Sequence, residues 1–191
     1  VMAGIAMQEA VQVFNQHRMN AGHEPIVIGV SIHSGPVIIG TVGSPDRMDS
    51  TVLGDVVNVA ARLEGLTKLY KAQIIISSQT KDLLQDDSSI LFRELDFVSV
   101  KGKDEPVRIY EIFNTDEDSV RECKQKISTT FNKALSCYQS QEWGESLELF
   151  QECLTIYPAD VVSGMYVDRC RDYLEHPPEA DWNGAVKLLV K

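Results

Sequence analysis

Nearly every strand-like run in this 191-residue chain lies before Asn114. The stretches IVIGVSIHSGPVIIGTVG, AQIIIS, ILFRELDFVSVKG and PVRIYEIFN are rich in β-branched and aromatic residues and are bounded by Gly, Pro and Ser. After NTDEDS the apolar spacing turns helical, with no clear strand until near the C-terminus. A sheet must therefore be assembled from the front of the chain, and a helical unit must follow it. The fold class is α+β with an all-α extension, and the boundary falls at about Asp116, giving parts 1–115 and 116–191.

Within the front part, apolar residues at Ala3, Met7, Ala10, Val11 and Phe14 mark one stripe of a helix from Met2 to about Asn20, closed by Gly22 and Pro25. The break at Ser34-Gly35-Pro36 makes the next two apolar runs read as a hairpin-like pair. GSPDRMDS reads as a polar turn, and Thr51 to Leu53 as a short extended piece. A helix is expected from Asp55 to about Leu69, then a buried strand AQIIIS. Ser78 is expected to cap a short helix running to Leu84, and two more strands flank the turn Gly102 to Glu105.

The net charge is −10, shared as −4 and −6 between the two parts, so neither offers the basic face that sequence-independent nucleic-acid binding needs. A nucleotide ligand remains compatible, because bound metal ions can supply local positive charge. The four cysteines, Cys123, Cys137, Cys153 and Cys170, lack the close pairing of a zinc site and read as small buried residues in reduced cytosolic helices. No run is long and apolar enough to span a bilayer, and no signal peptide is evident, so a cytoplasmic location is expected. The chain opens at Val1, inside a helical pattern, and reads as a piece of something longer.

In the C-terminal part, Phe131, Ala134, Leu135, Tyr138, Ser146, Phe150, Cys153 and Pro158 follow tetratricopeptide spacing, with one turn a residue short. A lone repeat cannot bury its own face. A third helix, about Asp160 to Glu175, or the preceding sheet must cover it. The alternative is a groove for a protein partner.

The helix of STVLGDVVNVAARLEGLTK carries the chemistry. Val56, Val59, Ala60, Leu63 and Leu66 form its core stripe, whereas Asp55, Asn58, Arg62 and Gly65 form another. Asn58 and Arg62 stand four residues apart and share a face. Taken alone, that face is either a solvated surface or an amide and a guanidinium presented into a cleft, where they suit a polyphosphate. His33 and Ser34 have no oriented acid beside them and read as structural. Gly40 and Gly43 lack the Gly-Lys-Ser/Thr of a P-loop.

GVSIHSGPVIIGTVGSPDRMDSTVLGDVVNVAARLEGLTK, together with FRELDFVSVKGKDEPVRIYEI, resembles the second half of the class III nucleotide cyclase catalytic domain, particularly bacterial and cyanobacterial adenylate cyclases. The resemblance spans about Val1 to Phe113 and implies a ferredoxin-like α+β fold. It implies a reaction in which the ribose 3′-oxygen of ATP attacks the α-phosphate, giving cyclic AMP and pyrophosphate. Asn58 matches the residue that positions the ribose, and Arg62 the residue that neutralises charge on the α-phosphate. Lys101 matches the lysine that holds the β- and γ-phosphates. Thr51 matches a base-reading position at which Asp or Thr goes with adenine and Cys usually with guanine.

The resemblance also implies two Mg²⁺ (or Mn²⁺) ions held by two aspartates in the first half of the domain. None of this chain's residues takes their place, so the chain holds no metal ligand of its own. Family members work as head-to-tail dimers, with metals from one protomer and the Asn-Arg pair from the other. A homodimer is therefore expected, with this chain alone inactive. Two rivals remain at this stage: a guanylate cyclase, and a non-catalytic cyclase-like dimerisation module.

Overall fold

The computed structural model describes residues 1–44, 47–84, 88–99, 105–179 and 181–187. Along the chain run α1 (Met2–Asn20), β1 (Val30–Ile32), β2 (Ile38–Ser44), β3 (Arg47–Leu53), α2 (Asp55–Tyr70), β4 (Ile74–Ser77) and α3 (Ser78–Lys81). They are followed by β5 (Phe92–Ser99), β6 (Val107–Ile112), α4 (Asp118–Gln139), α5 (Trp143–Ile156), α6 (Val161–Glu175) and β7 (Val186–Lys187).

Five strands form one sheet in the order β1-β4-β6-β5-β7, and β2 and β3 form a separate antiparallel ribbon. β1 and β4 are parallel, with Ser31 opposite Ile75, and α2 is part of the crossover between them. β6 runs antiparallel to both β4 and β5, while β7 adds to β5 in parallel at Val98 and Ser99.

Alternation along the strands divides the core in two. On one face Ile74 and Ile76 of β4 and Tyr110 and Ile112 of β6 pack with Ile5 of α1. On the other, Ile75, Leu95, Val98, Val107 and Ile109 pack beneath α2 and the helices α4 to α6. The second cluster is continuous from Val59 on α2 to Cys170 on α6, so the helical extension and the sheet share one core.

Several local expectations are corrected. The two apolar runs around Ser34-Gly35-Pro36 do not pair with each other: β1 joins β4, whereas β2 joins β3 from Ile38↔Leu53 to Ser44↔Arg47. The break is itself packed against the start of α2, since a Cβ on Gly35 would stand 2.8 Å from Val56 Cγ2. The second run thereby leaves the sheet, and the stretch expected as a polar turn becomes mostly strand.

On α1 the buried residues are Gly4, Ile5 and Gln8, whereas Met7 and Phe14 are exposed. Gly4 lets the helix approach Val30, and the Gln8 amide donates to the carbonyls of Ile28 and Gln73 at 3.0 Å each. The side with Gly4 fits against the sheet, so the more apolar stripe stays outside. Ser77, not Ser78, caps α3, accepting from Thr80 N–H, and that helix stops at Lys81.

In the C-terminal part Phe131, Ala134, Phe150 and Cys153 are fully buried, and the hydroxyl of Ser146 donates to the Ala134 carbonyl at 2.9 Å. The four cysteines are free thiols, and Cys123 is only half-buried. Among the described residues, no helix is long and apolar enough to cross a membrane.

Candidate functional site

The helix α2 is held in place by three features of its sequence. Gly54, its N-cap, has φ +150° and ψ 158°, a conformation nearly closed to residues with a Cβ, and it turns β3 directly into the helix. Ser31 of β1 donates its hydroxyl to the Ala60 carbonyl at 2.7 Å. Gly29 approaches so closely that a Cβ there would lie 2.2 Å from Thr67 Oγ1. Val59, Leu63, Leu66 and Tyr70 fill the resulting contact with the sheet and are all buried.

That burial fixes what the remaining faces present. Asn58 is exposed and Arg62 is half-buried one turn further on. Neither side chain has a hydrogen-bond or ion-pair partner among the described residues. A guanidinium this near an apolar helix–sheet contact wants an anion, and its planar fork suits phosphate or carboxylate oxygens. Asn58 adds an amide that can both donate and accept.

Strand directions locate the end of the sheet at which α2 begins. Because α2 leads into the start of β4, its N-terminal half lies at the end of the sheet where β1 and β4 finish. β6 is antiparallel to β4 and β5 antiparallel to β6, so β5 finishes and β6 begins at that same end. Lys101 falls between β5 and β6 in the sequence and lies outside the described residues. Thr51 is half-buried on β3, opposite Gly40 and three residues before Gly54. The structure thus brings Asn58 and Arg62 onto one face and places Thr51 on the strand that leads into the same helix, with no hydrogen bond between Thr51 and either of them among the described residues.

His33 and Ser34 are tied into the scaffold: His33 Nδ1 lies 2.8 Å from Ser77 Oγ, and Ser34 Oγ 3.1 Å from Thr80 Oγ1. Among the described residues, the one group able to hold a metal ion is Cys137, Glu142 and Glu145, on α4 and around the start of α5. It includes no residue of α2 or β3. The described residues therefore do not build a metal centre beside Asn58 and Arg62.

Sequence reasoning passed over Tyr70, Asp96, Tyr166 and Arg169, which meet in a buried polar cluster behind α2. A tyrosine at the end of an apolar stripe reads as core, and Asp96 in an alternating strand reads as surface. Nothing local in the sequence signals their meeting.

Comparison with known proteins gives this geometry a family. The family model described as the adenylate and guanylate cyclase catalytic domain matches residues 1–114. The terminal-differentiation-specific adenylate cyclase of Dictyostelium discoideum is 38% identical over 143 residues, covering 74% of this chain and 7% of that protein. Its alignment is longer than the family match and so continues into the C-terminal helices. The adenylate cyclase of Anabaena cylindrica is 46% identical over 115 residues, 58% of this chain and 23% of that protein. The crystal structure of the adenylyl cyclase CyaB from P. aeruginosa superposes with a TM-score of 0.51 at 36% identity, covering 57% of this chain and 54% of that one. The chain thus spans under a quarter of the length of these two curated relatives. With a match across more than half of its residues, it belongs to the class III nucleotide cyclases, the adenylate and guanylate cyclase catalytic-domain family.

Proposed function

We propose that this chain supplies the nucleotide-orienting and charge-neutralising half of an adenylate cyclase active site. The observation that carries the reading is Arg62: half-buried, without a counter-ion among the described residues, and one turn from Asn58 at the end of the sheet where β5 and β6 connect. In this reading the ribose 3′-hydroxyl of ATP gives up its proton to water as its oxygen attacks the α-phosphorus, the new P–O bond closes the ring, and the bond to the bridging oxygen breaks to release pyrophosphate. Asn58 holds the ribose so that the 3′-oxygen is aligned. Arg62 neutralises charge building on the α-phosphate, Lys101 holds the β- and γ-phosphates, and Thr51 reads adenine.

Cyclase domains of this family act as dimers and bind ATP, and class III cyclases generally use Mg²⁺ or Mn²⁺. The finer arrangement proposed is a cytoplasmic head-to-tail homodimer whose two metal ions are held by aspartates outside this chain. Residues 1–115 form the cyclase part and 116–191 a tetratricopeptide-like extension.

The test is Arg62→Ala in the full-length protein that carries this chain. The contact strengthens as charge develops, so kcat should fall about 10²- to 10³-fold while KM for ATP changes far less. Normal kcat removes Arg62 from the mechanism. Product analysis with ATP and GTP belongs to the same assay: cyclic AMP should dominate, and cyclic GMP as main product would reassign Thr51.

A further inference from the structure

Asp96 is a carboxylate in the middle of β5, 1% exposed, and the strand is deformed to put it there. Arg93 and Leu95 point to the sheet face covered by α2 and α4 to α6, so strict alternation would turn Asp96 to the opposite face. The register with β6 shifts between Glu94 and Asp96, and the bulge buries Leu95 and Asp96 consecutively. Bulges of this kind re-aim a side chain and recur beside active sites.

Three elements meet at the re-aimed carboxylate. Its Oδ2 accepts the Tyr70 hydroxyl from the last turn of α2 at 2.6 Å and Arg169 Nη1 from α6 at 2.6 Å. Its Oδ1 accepts the Phe97 N–H at 2.8 Å. The Tyr166 hydroxyl, also from α6, lies 3.1 Å from Oδ1 and 3.0 Å from the Leu95 carbonyl and shares one proton between them. Burial and then the Asp96 charge push the Tyr70 hydroxyl far above its ordinary range, so it stays a donor. Burial works against the Arg169 charge, but Asp96 overcomes it and holds the guanidinium protonated.

We infer that Asp96 is a positioning residue, through which the C-terminal helical unit fixes the helix bearing Asn58 and Arg62 against the strand that leads to Lys101. The inference rests on the function proposed above. That reaction needs a guanidinium from α2 and a lysine from the β5–β6 connection on one phosphate chain, and a misplacement of about 1 Å can cost on the order of 10²-fold. β5 ends at Ser99, three residues after Asp96 and two before Lys101 in the sequence. A second, independent tie holds the helical unit in place when Asp96 is perturbed: Asp160, the N-cap of α6, accepts both Arg93 Nη atoms at 2.9 and 3.0 Å.

Tyr70→Phe is the sharpest test, because it frees α2 while Arg169, Tyr166 and Phe97 still satisfy the carboxylate. In the full-length protein it should lower kcat about tenfold with KM for ATP within about twofold, and Asp96→Asn should do the same. Tyr138→Phe removes a buried hydroxyl that has no hydrogen-bond partner among the described residues and should leave kcat unchanged. Tyr70→Phe combined with Arg62→Ala should lose less than the product of the two single losses, because Tyr70 acts through the helix that Arg62 occupies and only its effect on Asn58 is left to add. Amide hydrogen exchange should quicken over residues 55–62 in Tyr70→Phe. Unchanged exchange there, unchanged kcat beside a slow Arg62→Ala variant, or losses that multiply in the double variant each overturn the role of Asp96. An Arg62→Ala variant with normal kcat instead overturns the proposed function, and exchange in α2 still decides whether Asp96 holds that helix.

Discussion

Asp160 carries two tasks with one carboxylate. It caps α6, accepting from Ser163 N–H at 3.3 Å and from its hydroxyl at 2.5 Å, and it receives both arms of the Arg93 guanidinium. Arg93 in turn donates from Nε to Glu111 at 2.6 Å, and Glu111 accepts Lys124 Nζ at 2.7 Å. Burial alone would raise the Asp160 pKa, but Arg93 and Ser163 outweigh it and hold the carboxyl below its ordinary range. The folded state therefore binds this proton less readily than the unfolded chain does. Its stabilisation is complete above about pH 4 and is lost as pH falls through the depressed folded value. Asp116 shifts the other way, raised by burial against the pull of Lys124, and so softens the acid limb. Asp160→Asn keeps the cap and removes the charge, stranding half of a buried pair. Urea denaturation at pH 7 should show a loss of about 2 to 4 kcal/mol, at or just below the usual range for breaking such a pair. The variant's stability should also vary less between pH 5 and pH 2. An unchanged acid limb would mean that Asp160 is not the group lost on acidification.

At the scale of elements, glycines decide where α2 lies. A Cβ on Gly29 would overlap Thr67, whose hydroxyl is already committed to the Glu64 carbonyl at 2.7 Å. Gly29→Ala should therefore cost roughly 1 to 3 kcal/mol by overpacking. Gly164, in α6 with nothing within 4 Å of its would-be Cβ, should gain roughly 0.5 to 1 kcal/mol as alanine. Thermal denaturation of the two variants should move in opposite directions, and equal shifts would show that the space around Gly29 relaxes freely. The same helix marks how far the sequence could be read. The apolar stripe of α2 and the Gly-Asp entry announce it, because helix period and N-terminal turn are local properties. The partner of β1 was not legible, because β1 pairs with a strand more than 40 residues downstream and only a crossover reveals that pairing. The buried side of α1 was misread for a related reason. Two stripes compete on that helix, and the fit of Gly4 against Val30, not hydrophobicity, selects between them. At the site, Asn58 and Arg62 stood out as polar residues on an apolar helix, whereas Asp96 was hidden by a bulge that alternation does not predict.

At the scale of the chain, the sheet and the helices that follow it share one core. The family match stops at residue 114, yet Leu95, Val98, Val107 and Ile109 of the sheet lie in one core with Ile127, Phe131, Phe150 and Tyr166 of the helices. Burying each such side chain is worth about 1.5 to 3 kcal/mol, so uncovering the four on the sheet costs about 6 to 12 kcal/mol. A whole domain's net stability is typically about 5 to 15 kcal/mol. The polar ties point the same way, because removing α4 and α6 leaves Glu111 without Lys124 and Arg93 without Asp160. β1 adds an open edge on the far side of the sheet, with Val27 just before it 90% exposed. A chain ended after Thr115 should therefore fail to fold alone: no cooperative thermal transition, strong binding of a hydrophobic dye, and aggregation on size exclusion. The chain of residues 1–191 should melt in a single transition in which sheet and helix signals are lost together, because the two parts share their core. Supplying residues 116–191 in trans should rescue the shortened chain at least in part, since the missing surface is then restored without the covalent link. A shortened chain that unfolds cooperatively, with its sheet signal intact and no dye binding, would show that the helical unit is a separable appendage and that the shared core is not what holds the sheet.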